Sequence, residues 1–197
     1  MNTRLQVEHP VTELVTSTDL VHMQLESAFG AELPLRQHDI QWRGAAIQCR
    51  LYAEDPANQF FPSPGRIHRL RMASGPGIRL DNGVYEGWTV PMDYDPLLAK
   101  LCVWANSRPA AIARMQRALA ETEILGIANN VAFFRQLLAD QRFRSGQLHT
   151  GFLRDFLFTP DTALDPSELL AAAAVLGLAP PSAPAAPSTP DSLWRRQ

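Results

Sequence analysis

An alternation of apolar and polar side chains between residues 41 and 53 constrains the fold more than any other stretch of this sequence. One set of alternate positions is apolar and consists of Ala45, Ile47, Cys49 and Leu51. The other set consists of Ala46, Gln48, Arg50 and Tyr52. Because successive strand side chains point to opposite faces, the run predicts a β-strand with an apolar inner face. Spacing alone makes Arg50 a solvated residue of the polar face.

Helical periodicity recurs at four places, and the predicted helices span residues 18 to 29, 108 to 122, 130 to 139 and 150 to 158. Ser107 is the expected N-cap of the second helix, and Asn129 or Asn130 that of the third. The second helix has an inner stripe formed by Ala111, Ile112, Met115, Ala118, Leu119 and Thr122. The first helix should end at Gly30.

Further strands are expected at residues 65 to 72, 78 to 81, 84 to 90 and 97 to 105. Asp81-Asn82-Gly83 is a strong turn signal and predicts a hairpin between the two middle segments. Strands of this kind with helices packed on one side indicate an α+β fold with a mainly antiparallel sheet over residues 1 to 158.

The last forty residues differ in composition from the rest. An Ala-rich helix is expected within residues 159 to 178, because Asp165-Pro166-Ser167-Glu168 combines an N-cap, a first-turn proline and an acid. Residues 179 to 197 are rich in proline and alanine, which is typical of a semi-extended linker.

Composition excludes several classes of function. Hydrophobic residues make up 46% of the chain and charged residues 19%, which is typical of a globular protein. The net charge of −2 gives no reason to expect a nucleic-acid partner, and no apolar run is long enough to span a membrane. The two cysteines lack zinc-site spacing and a disulfide framework, so we expect a cytoplasmic protein with buried thiols.

The first ten residues concentrate polar chemistry at alternate positions. In an extended segment, one face would carry Asn2, Arg4, Gln6 and Glu8. A guanidinium and an amide can hold a small planar oxyanion, and a carboxylate beside them can accept a proton. Spacing alone leaves a surface strand with a solvated charged face as the alternative.

The same segment carries a resemblance that is long and residue-specific. It resembles the signature of biotin carboxylase, the ATP-grasp component of biotin-dependent carboxylases, over Met1-Asn2-Thr3-Arg4-Leu5-Gln6-Val7-Glu8-His9-Pro10-Val11-Thr12-Glu13. The resemblance covers residues 1 to 157 and continues through residues 48 to 56, 61 to 65 and 94 to 101. Residues 75 to 79 and 83 to 87 resemble the α subunits of acyl-CoA carboxylases, such as propionyl- and methylcrotonyl-CoA carboxylase.

The resemblance implies roles for individual residues. Bicarbonate would be held by Arg4, Gln6 and the backbone amide of Val7. Glu8 would remove its proton, and Arg50 would stabilise the enolate oxygen of biotin. Asn2 would be the last residue of a magnesium site whose acidic ligands precede this sequence.

The implied reaction is the ATP- and bicarbonate-dependent carboxylation of biotin on a carrier domain, with Mg²⁺ or Mn²⁺. Expected partners are a carboxyltransferase β subunit, the biotin carboxyl carrier domain and further copies of the chain. The implied domains are an ATP-grasp remnant at residues 1 to 40 and a biotin carboxylase C-terminal domain at 41 to 158. The chain then corresponds to a C-terminal fragment that is inactive alone, and a non-catalytic subunit-docking module is the alternative.

Two further residues have open roles at this point. His9 could shuttle a proton, but it precedes Pro10, which favours a structural role. Asp95 could be the ion-pair partner of an arginine or the cap of a turn.

Overall fold

The structure is a computed structural model that describes residues 2–160. Its helices are α1 (His9–Thr16), α2 (Leu20–Ala28), α3 (Arg108–Glu121), α4 (Val131–Ala139) and α5 (Gln141–Ser145). Its strands are β1 (Ala45–Tyr52), β2 (Glu54–Asp55), β3 (Phe61–Pro62), β4 (Gly65–Arg66), β5 (Arg69–Arg71), β6 (Ile78–Asn82), β7 (Thr89–Val90), β8 (Leu97–Ala105) and β9 (Glu123–Leu125). Single 3₁₀ turns occur at Gln37–Asp39 and Pro56–Asn58.

The central sheet is antiparallel and has the strand order β1-β8-β6. The alternating run forms β1, as its periodicity predicts, and the apolar run of residues 97 to 105 forms β8 between the other two strands. Three two-stranded ladders, β2-β3, β4-β7 and β5-β9, surround this sheet. Helices combined with antiparallel sheets confirm the α+β prediction.

One face of the central sheet carries the hydrophobic core. The side chains of Cys49, Leu51, Leu101 and Val103 lie there and are at most 3% exposed. Helix α3 covers this face with the stripe expected from its sequence, because Met115, Ala118 and Leu119 belong to the same cluster. Ser107 caps this helix, since its Oγ accepts a hydrogen bond from the amide of Ala110.

The opposite face of the sheet is polar, and α1 lies against it. Arg50, Lys100 and Asp81 stand side by side on this face, in register on β1, β8 and β6. Residues paired in an antiparallel ladder share a face of the sheet, so the register places these three charges in one row. The backbone amide of Arg43 donates to the carbonyl of Val15 (2.8 Å), which joins the end of α1 to the start of β1.

The predicted hairpin around Asp81-Asn82-Gly83 is wrong. Strand β6 continues to Asn82 but pairs with β8, and β7 pairs with β4. The turn signal is satisfied locally, because the carboxamide of Asn82 accepts from the amide of Val84 and donates to its carbonyl.

The single strand expected at residues 65 to 72 is divided in two. Ile67 lies between β4 and β5 and is fully buried. The chain changes partner there, from β7 on one side to β9 on the other. Ile67 still exchanges backbone hydrogen bonds with Trp88 and Gly87, and the next amide, that of His68, donates to Leu125, so the partner changes between these two residues.

Two helix predictions need correction. Residues 150 to 158 form turns, and the helix in this region is α5, whose N-cap Asp140 accepts from the amides of Arg142 and Phe143. Phe152 is buried in an aromatic cluster with Phe133, and the backbone around it makes turn hydrogen bonds without forming a regular helix. Helix α2 forms close to its expected position but has no buried residue, so it is not packed against the sheet as expected.

The prediction for residues 130 to 139 is confirmed by α4. The expected Ala-rich helix and the proline-rich linker, from residue 161 onward, lie outside the described residues. Helices in the described part of the chain are all too short or too polar to cross a lipid bilayer.

Candidate functional site

Glu8 and Arg50 are brought together by the fold. Arg50 Nη2 donates to Glu8 Oε2 at 2.7 Å, although the two residues are 42 positions apart in the sequence. Glu8 occupies the N-cap position of α1, and Arg50 projects from β1 toward that helix. Both side chains remain accessible, with exposed fractions of 53% and 40%. A proton acceptor and a fixed cation therefore stand at one accessible point on the polar face.

The opening segment is not the extended strand that the alternation suggested. Residues 2 to 6 are irregular, Val7 and Glu8 form a turn, and α1 begins at His9. Pro10 explains the change, because its fixed φ suits the first turn of a helix, where a missing N–H costs nothing. Glu8 faces Arg50 from the N-cap position of α1, where its side chain makes no cap hydrogen bond, and not from a strand face shared with Arg4.

The remaining motif residues lie on either side of this turn. Arg4 is exposed, and its Nη1 donates to the carbonyl of Leu5 (3.3 Å). Asn2 is also exposed, whereas Gln6 and Val7 are half-buried. In the part of the chain that the structure describes, no direct contact joins Arg4 to Glu8 or Arg50. Their proposed roles as an anion site stay predictions.

His9 has a structural contact. Its Nδ1 lies 2.7 Å from the carbonyl oxygen of Gln6, and its backbone amide donates to the same oxygen. A carbonyl only accepts hydrogen bonds, so Nδ1 carries the proton and the ring holds the turn before α1. This contact favours the structural role over proton shuttling.

A charged network beside Arg50 was missed at the sequence level. Lys100, opposite Arg50 in the ladder, places Nζ 2.8 Å from Asp81 Oδ2. Arg79 binds Asp81 through Nε (2.9 Å) and reaches Glu13 on α1 through Nη1 (2.5 Å). Glu13 is only 8% exposed, and its other oxygen accepts from the amide of Leu20. Lys100 lies within the apolar run that forms β8, and only the pairing of the strands shows that it stands beside Arg50 and Asp81.

The network fixes the charge of its members. Burial pushes the pKa of Asp81 upward, but hydrogen bonds from Arg79 and Lys100 outweigh it, and the net pKa lies below its ordinary value. The hydrogen bond to Asp81 is the largest cause that raises the pKa of Arg79. Asp81 is therefore a carboxylate at neutral pH, and it joins Arg79 and Lys100 through ion pairs.

Asp95 caps a turn. Its Oδ1 accepts from the amide of Leu97 at 2.9 Å, immediately before β8. Its charge also acts on Glu54, whose pKa is raised first by burial and then by repulsion from Asp95. The turn-capping alternative is confirmed, and the ion pairs found among the described residues do not join Asp95 to an arginine.

Nucleophilic thiol chemistry does not fit this site. Cys49 and Cys102 are free and buried. Burial is the largest cause that raises the pKa of Cys102 to about 12, and burial also raises that of Cys49. Thiols in such surroundings remain protonated and unreactive.

The described residues do not form a metal centre by themselves. Within residues 2–160, no group of three or more His, Cys, Asp or Glu side chains is arranged to hold a metal ion. Asn2 offers one amide oxygen, which is fewer ligands than a divalent magnesium ion requires. No step of the chemistry considered below is routed through a metal held by these residues.

Comparison with known proteins adds the family. The biotin carboxylase C-terminal domain matches residues 48–155, and the ATP-binding domain of the carbamoyl-phosphate synthase L chain matches residues 1–36. The chain belongs to the biotin carboxylase family. The biotin carboxylase match contains Arg50, Lys100 and Asp81, and the ATP-binding match contains Glu8.

Curated biotin carboxylases are similar over most of this chain. Biotin carboxylase 1 of Bacillus subtilis and a pyruvate carboxylase subunit of Methanothermobacter thermautotrophicus are each 46% identical over 156 residues, or 79% of the chain. Those residues are 35% and 32% of the two relatives. The chain therefore spans about a third of the length of the curated biotin carboxylase relatives it matches.

Solved structures agree with the fold. The biotin carboxylase domain dimer of 2-oxoglutarate carboxylase from Hydrogenobacter thermophilus, in complex with MgADP, ADP and bicarbonate, has a TM-score of 0.78 and 39% identity. The match covers 81% of this chain and 36% of that one. Pyruvate carboxylase from Rhizobium etli gives a TM-score of 0.81 at 39% identity, over 89% of this chain and 18% of that one.

Proposed function

We propose that this chain supplies the C-terminal part of a biotin carboxylase, which uses ATP and bicarbonate to carboxylate biotin on a carrier domain. The observation that carries the proposal is the 2.7 Å contact between Glu8 and Arg50. It places a base and a cation from two distant parts of the sequence at one accessible point, and both lie in segments that match the family.

The proposed division of roles follows from charge. Bicarbonate must lose a proton before it is a good nucleophile, and Glu8 is the acceptor of that proton. Arg4, Gln6 and the Val7 amide would hold the anion. The positive charge of Arg4 would also lower the pKa of the bound bicarbonate, so that Glu8 can remove its proton more easily. Arg50 would stabilise the negative oxygen that develops on the biotin ureido ring, because a preorganised cation lowers the energy of such a state.

The rest of the site would come from a longer polypeptide. ATP and Mg²⁺ or Mn²⁺ supply phosphoryl chemistry, and Asn2 would contribute at most one ligand oxygen to the metal. Solved relatives bound to MgADP and bicarbonate, one of them a dimer, support these cofactors and a homo-oligomer for this chain. As partners we further propose the carrier domain and a carboxyltransferase β subunit, with a cytoplasmic location consistent with the free thiols.

The finer proposal is the α subunit of an acyl-CoA carboxylase. It is supported by the resemblance of residues 75 to 79 and 83 to 87 to that branch. A panel of acetyl-, propionyl- and methylcrotonyl-CoA, offered with the carboxyltransferase β subunit of an acyl-CoA carboxylase, tests it. Carboxylation of one acceptor is expected, whereas turnover of pyruvate instead would contradict the acyl-CoA assignment.

The biotin carboxylase proposal is tested with a chimera. The N-terminal two thirds of Bacillus subtilis biotin carboxylase 1, up to the position of Met1, is joined to this chain. We expect biotin- and bicarbonate-dependent ATP hydrolysis from the chimera and background hydrolysis from the 197-residue chain alone. Glu8→Gln should lower turnover roughly 10²-fold or more, as loss of a general base does.

Glu32→Gln is the matched control, because Glu32 is an exposed carboxylate outside the ion pairs found in the described residues. Its turnover should equal that of the unsubstituted chimera. Equal activity of the Glu8→Gln chimera would remove Glu8 from the mechanism. Background hydrolysis by the unsubstituted chimera would favour the alternative, a non-catalytic module that docks partner subunits.

A further inference from the structure

Asn130 makes a contact with β1 that the proposed chemistry does not use. The residue is 4% exposed and immediately precedes α4. Its Oδ1 accepts from the backbone amide of Tyr52 at 3.0 Å, and its Nδ2 donates to the backbone carbonyl of Arg50 at 3.0 Å. One carboxamide therefore joins the two peptide groups that flank Leu51, directly after Arg50.

The side chain of Asn130 makes the hydrogen bonds that a further strand would make at the free edge of β1. β1 is the outermost strand of the central sheet, with β8 as its neighbour on one edge. In a strand, the carbonyl of one residue and the amide two residues later point to the same edge. A carboxamide offers one acceptor and a donor like a peptide group does, so Asn130 provides the pairing that a second neighbouring strand would provide.

The contact lies where the regular ladder fails. The pairing of β1 with β8 shifts register between Leu51 and Tyr52, at the end of the strand that carries Arg50. At a register shift, the regular ladder of backbone hydrogen bonds between the two strands is locally disrupted. The buried carboxamide of Asn130 holds the backbone of β1 in place here, on the carboxyl side of Arg50.

Asn130 is free for this task because its neighbour performs the helix cap. Asn129 Oδ1 accepts from the amide of Val131, and Asn129 Nδ2 donates to the carbonyl of Ile124. Asn130 makes no side-chain cap hydrogen bond, while its backbone carbonyl accepts from Phe134 in the first turn of α4. Asn129 therefore stabilises the start of α4, whereas the side chain of Asn130 binds β1.

We propose that Asn130 is a positioning residue for Arg50, whose carboxamide holds the backbone of β1 so that the guanidinium faces Glu8. The inference rests on the proposed function only where it concerns turnover. The Asn130 contact itself belongs to the described fold and can be tested in the 197-residue chain. Removing the carboxamide leaves the half-buried Tyr52 amide and Arg50 carbonyl without this partner, which frees the backbone beside Arg50.

The first test uses NMR spectroscopy on the full 197-residue chain. In Asn130→Ala, hydrogen exchange at the Tyr52 amide should become roughly 10-fold faster or more, because its buried acceptor is gone. The Arg50 guanidinium signals should move in the same variant. Asn129→Ala is the matched control and should leave both readouts at their original values, since the hydrogen bonds of its side chain go to α4, to β9 and to the loop between them, and not to β1.

Asn130→Asp provides a second variant should Asn130→Ala fail to fold. A protonated aspartate is shaped like a carboxamide and can donate to the Arg50 carbonyl, whereas the ionised form cannot. The Arg50 guanidinium signals should therefore match the unsubstituted chain at low pH and depart from it as pH rises. Arg50 signals that stay unchanged in both Asn130 variants, while Tyr52 loses protection, would overturn the proposal.

The second test measures turnover in the chimera described above. Asn130→Ala should lower the kcat for biotin carboxylation roughly 10-fold, because displacement of a catalytic group by a fraction of an ångström is costly. The KM for bicarbonate should stay within about twofold, since the carboxamide contacts the backbone of Arg50 and not the opening segment. A loss confined to KM would overturn the assignment to Arg50. An inactive unsubstituted chimera would count against the proposed function, and the NMR result would still decide the role of Asn130.

Discussion

Arg50 lies where it can serve chemistry without supporting the fold. Its ion pair with Glu8 is well formed but accessible, and pairs of this kind contribute about 0–1 kcal/mol to stability. Leu51, the next residue along β1, is fully buried and faces α3 through the core. Adjacent positions of one strand thus separate function from stability.

This separation gives a prediction for Arg50→Ala in the 197-residue chain. The free energy of unfolding should change by less than about 1 kcal/mol, because the exposed pair is weakened by water and by side-chain entropy. Thermal unfolding followed by circular dichroism measures it. Leu51→Ala is the contrasting variant and should lose roughly 2–5 kcal/mol, as buried large-to-small substitutions do. A large loss in Arg50→Ala would make this arginine a structural residue.

At the residue scale, the sequence identified Glu8 and Arg50 separately but did not predict the contact between them. Glu8 and Arg50 were singled out through a resemblance, and their spacing of 42 residues carries no information about proximity. Asn130 and Lys100 were missed because their roles depend on what stands opposite them. Asn130 occupies the N-cap position of α4, and only the fold shows that the side-chain hydrogen bond to the first helical amide comes from Asn129 instead.

At the scale of elements, α1 is attached to the sheet by ion pairs as well as by buried apolar side chains. Glu8 reaches β1, and Glu13 reaches Arg79 on β6, which in turn binds Asp81. The helix also inserts Pro10 and Val15 as buried apolar contacts. Because Glu8 occupies the N-cap position of this helix, the attachment of α1 determines where its backbone lies.

The network predicts a dependence of stability on pH. The folded-state pKa of Asp81 lies below its ordinary value, so its contribution is present above that ordinary value and is lost as pH falls through the folded pKa. Asp81→Asn should therefore flatten the acid limb of a stability-against-pH curve measured by urea unfolding. Some slope should remain, because the hydrogen bond from Arg142 lowers the pKa of Asp140 as well.

Asp155→Asn is the control for this measurement, since Asp155 is an exposed carboxylate paired only with its neighbour Arg154. Its acid limb should follow that of the unsubstituted chain. An acid limb for Asp81→Asn that is as steep as the original would show that the charged network does not set the acid sensitivity of the fold.

Elements with a strong local signal were predicted well, and elements that depend on a distant partner were not. The alternation of β1 and the Ser107 cap of α3 decide local structure by themselves. The hairpin at Asp81-Asn82-Gly83 failed because β6 found a longer partner in β8. The opening strand failed because one proline at the start of α1 outweighs a period-two pattern.

At the scale of the whole molecule, the central sheet separates two environments. The face toward α3 is apolar and closed, whereas the face toward α1 is charged and accessible at Glu8 and Arg50. A fold of this kind can present catalytic groups while its core remains intact. The chain spans about a third of the length of its curated relatives.

The order of events in the proposed reaction separates Arg50 from Glu8 in the completed enzyme. Glu8 is required before bicarbonate attacks ATP, so Glu8→Gln in the chimera should lower bicarbonate-dependent ATP hydrolysis and biotin carboxylation together, roughly 10²-fold or more. Arg4→Ala should behave in the same way if Arg4 holds the anion. The oxygen that Arg50 stabilises belongs to biotin and becomes charged only after phosphoryl transfer.

Arg50→Ala should therefore lower biotin carboxylation roughly 10²-fold while bicarbonate-dependent ATP hydrolysis falls much less, since removal of one electrostatic stabiliser acts on the step it serves. Parallel assays of phosphate release and of carboxybiotin formation measure the ratio. An equal fall in both rates would place Arg50 in the bicarbonate or phosphate site. The contact with Glu8 would then mark a single anion pocket instead of a boundary between two half-reactions.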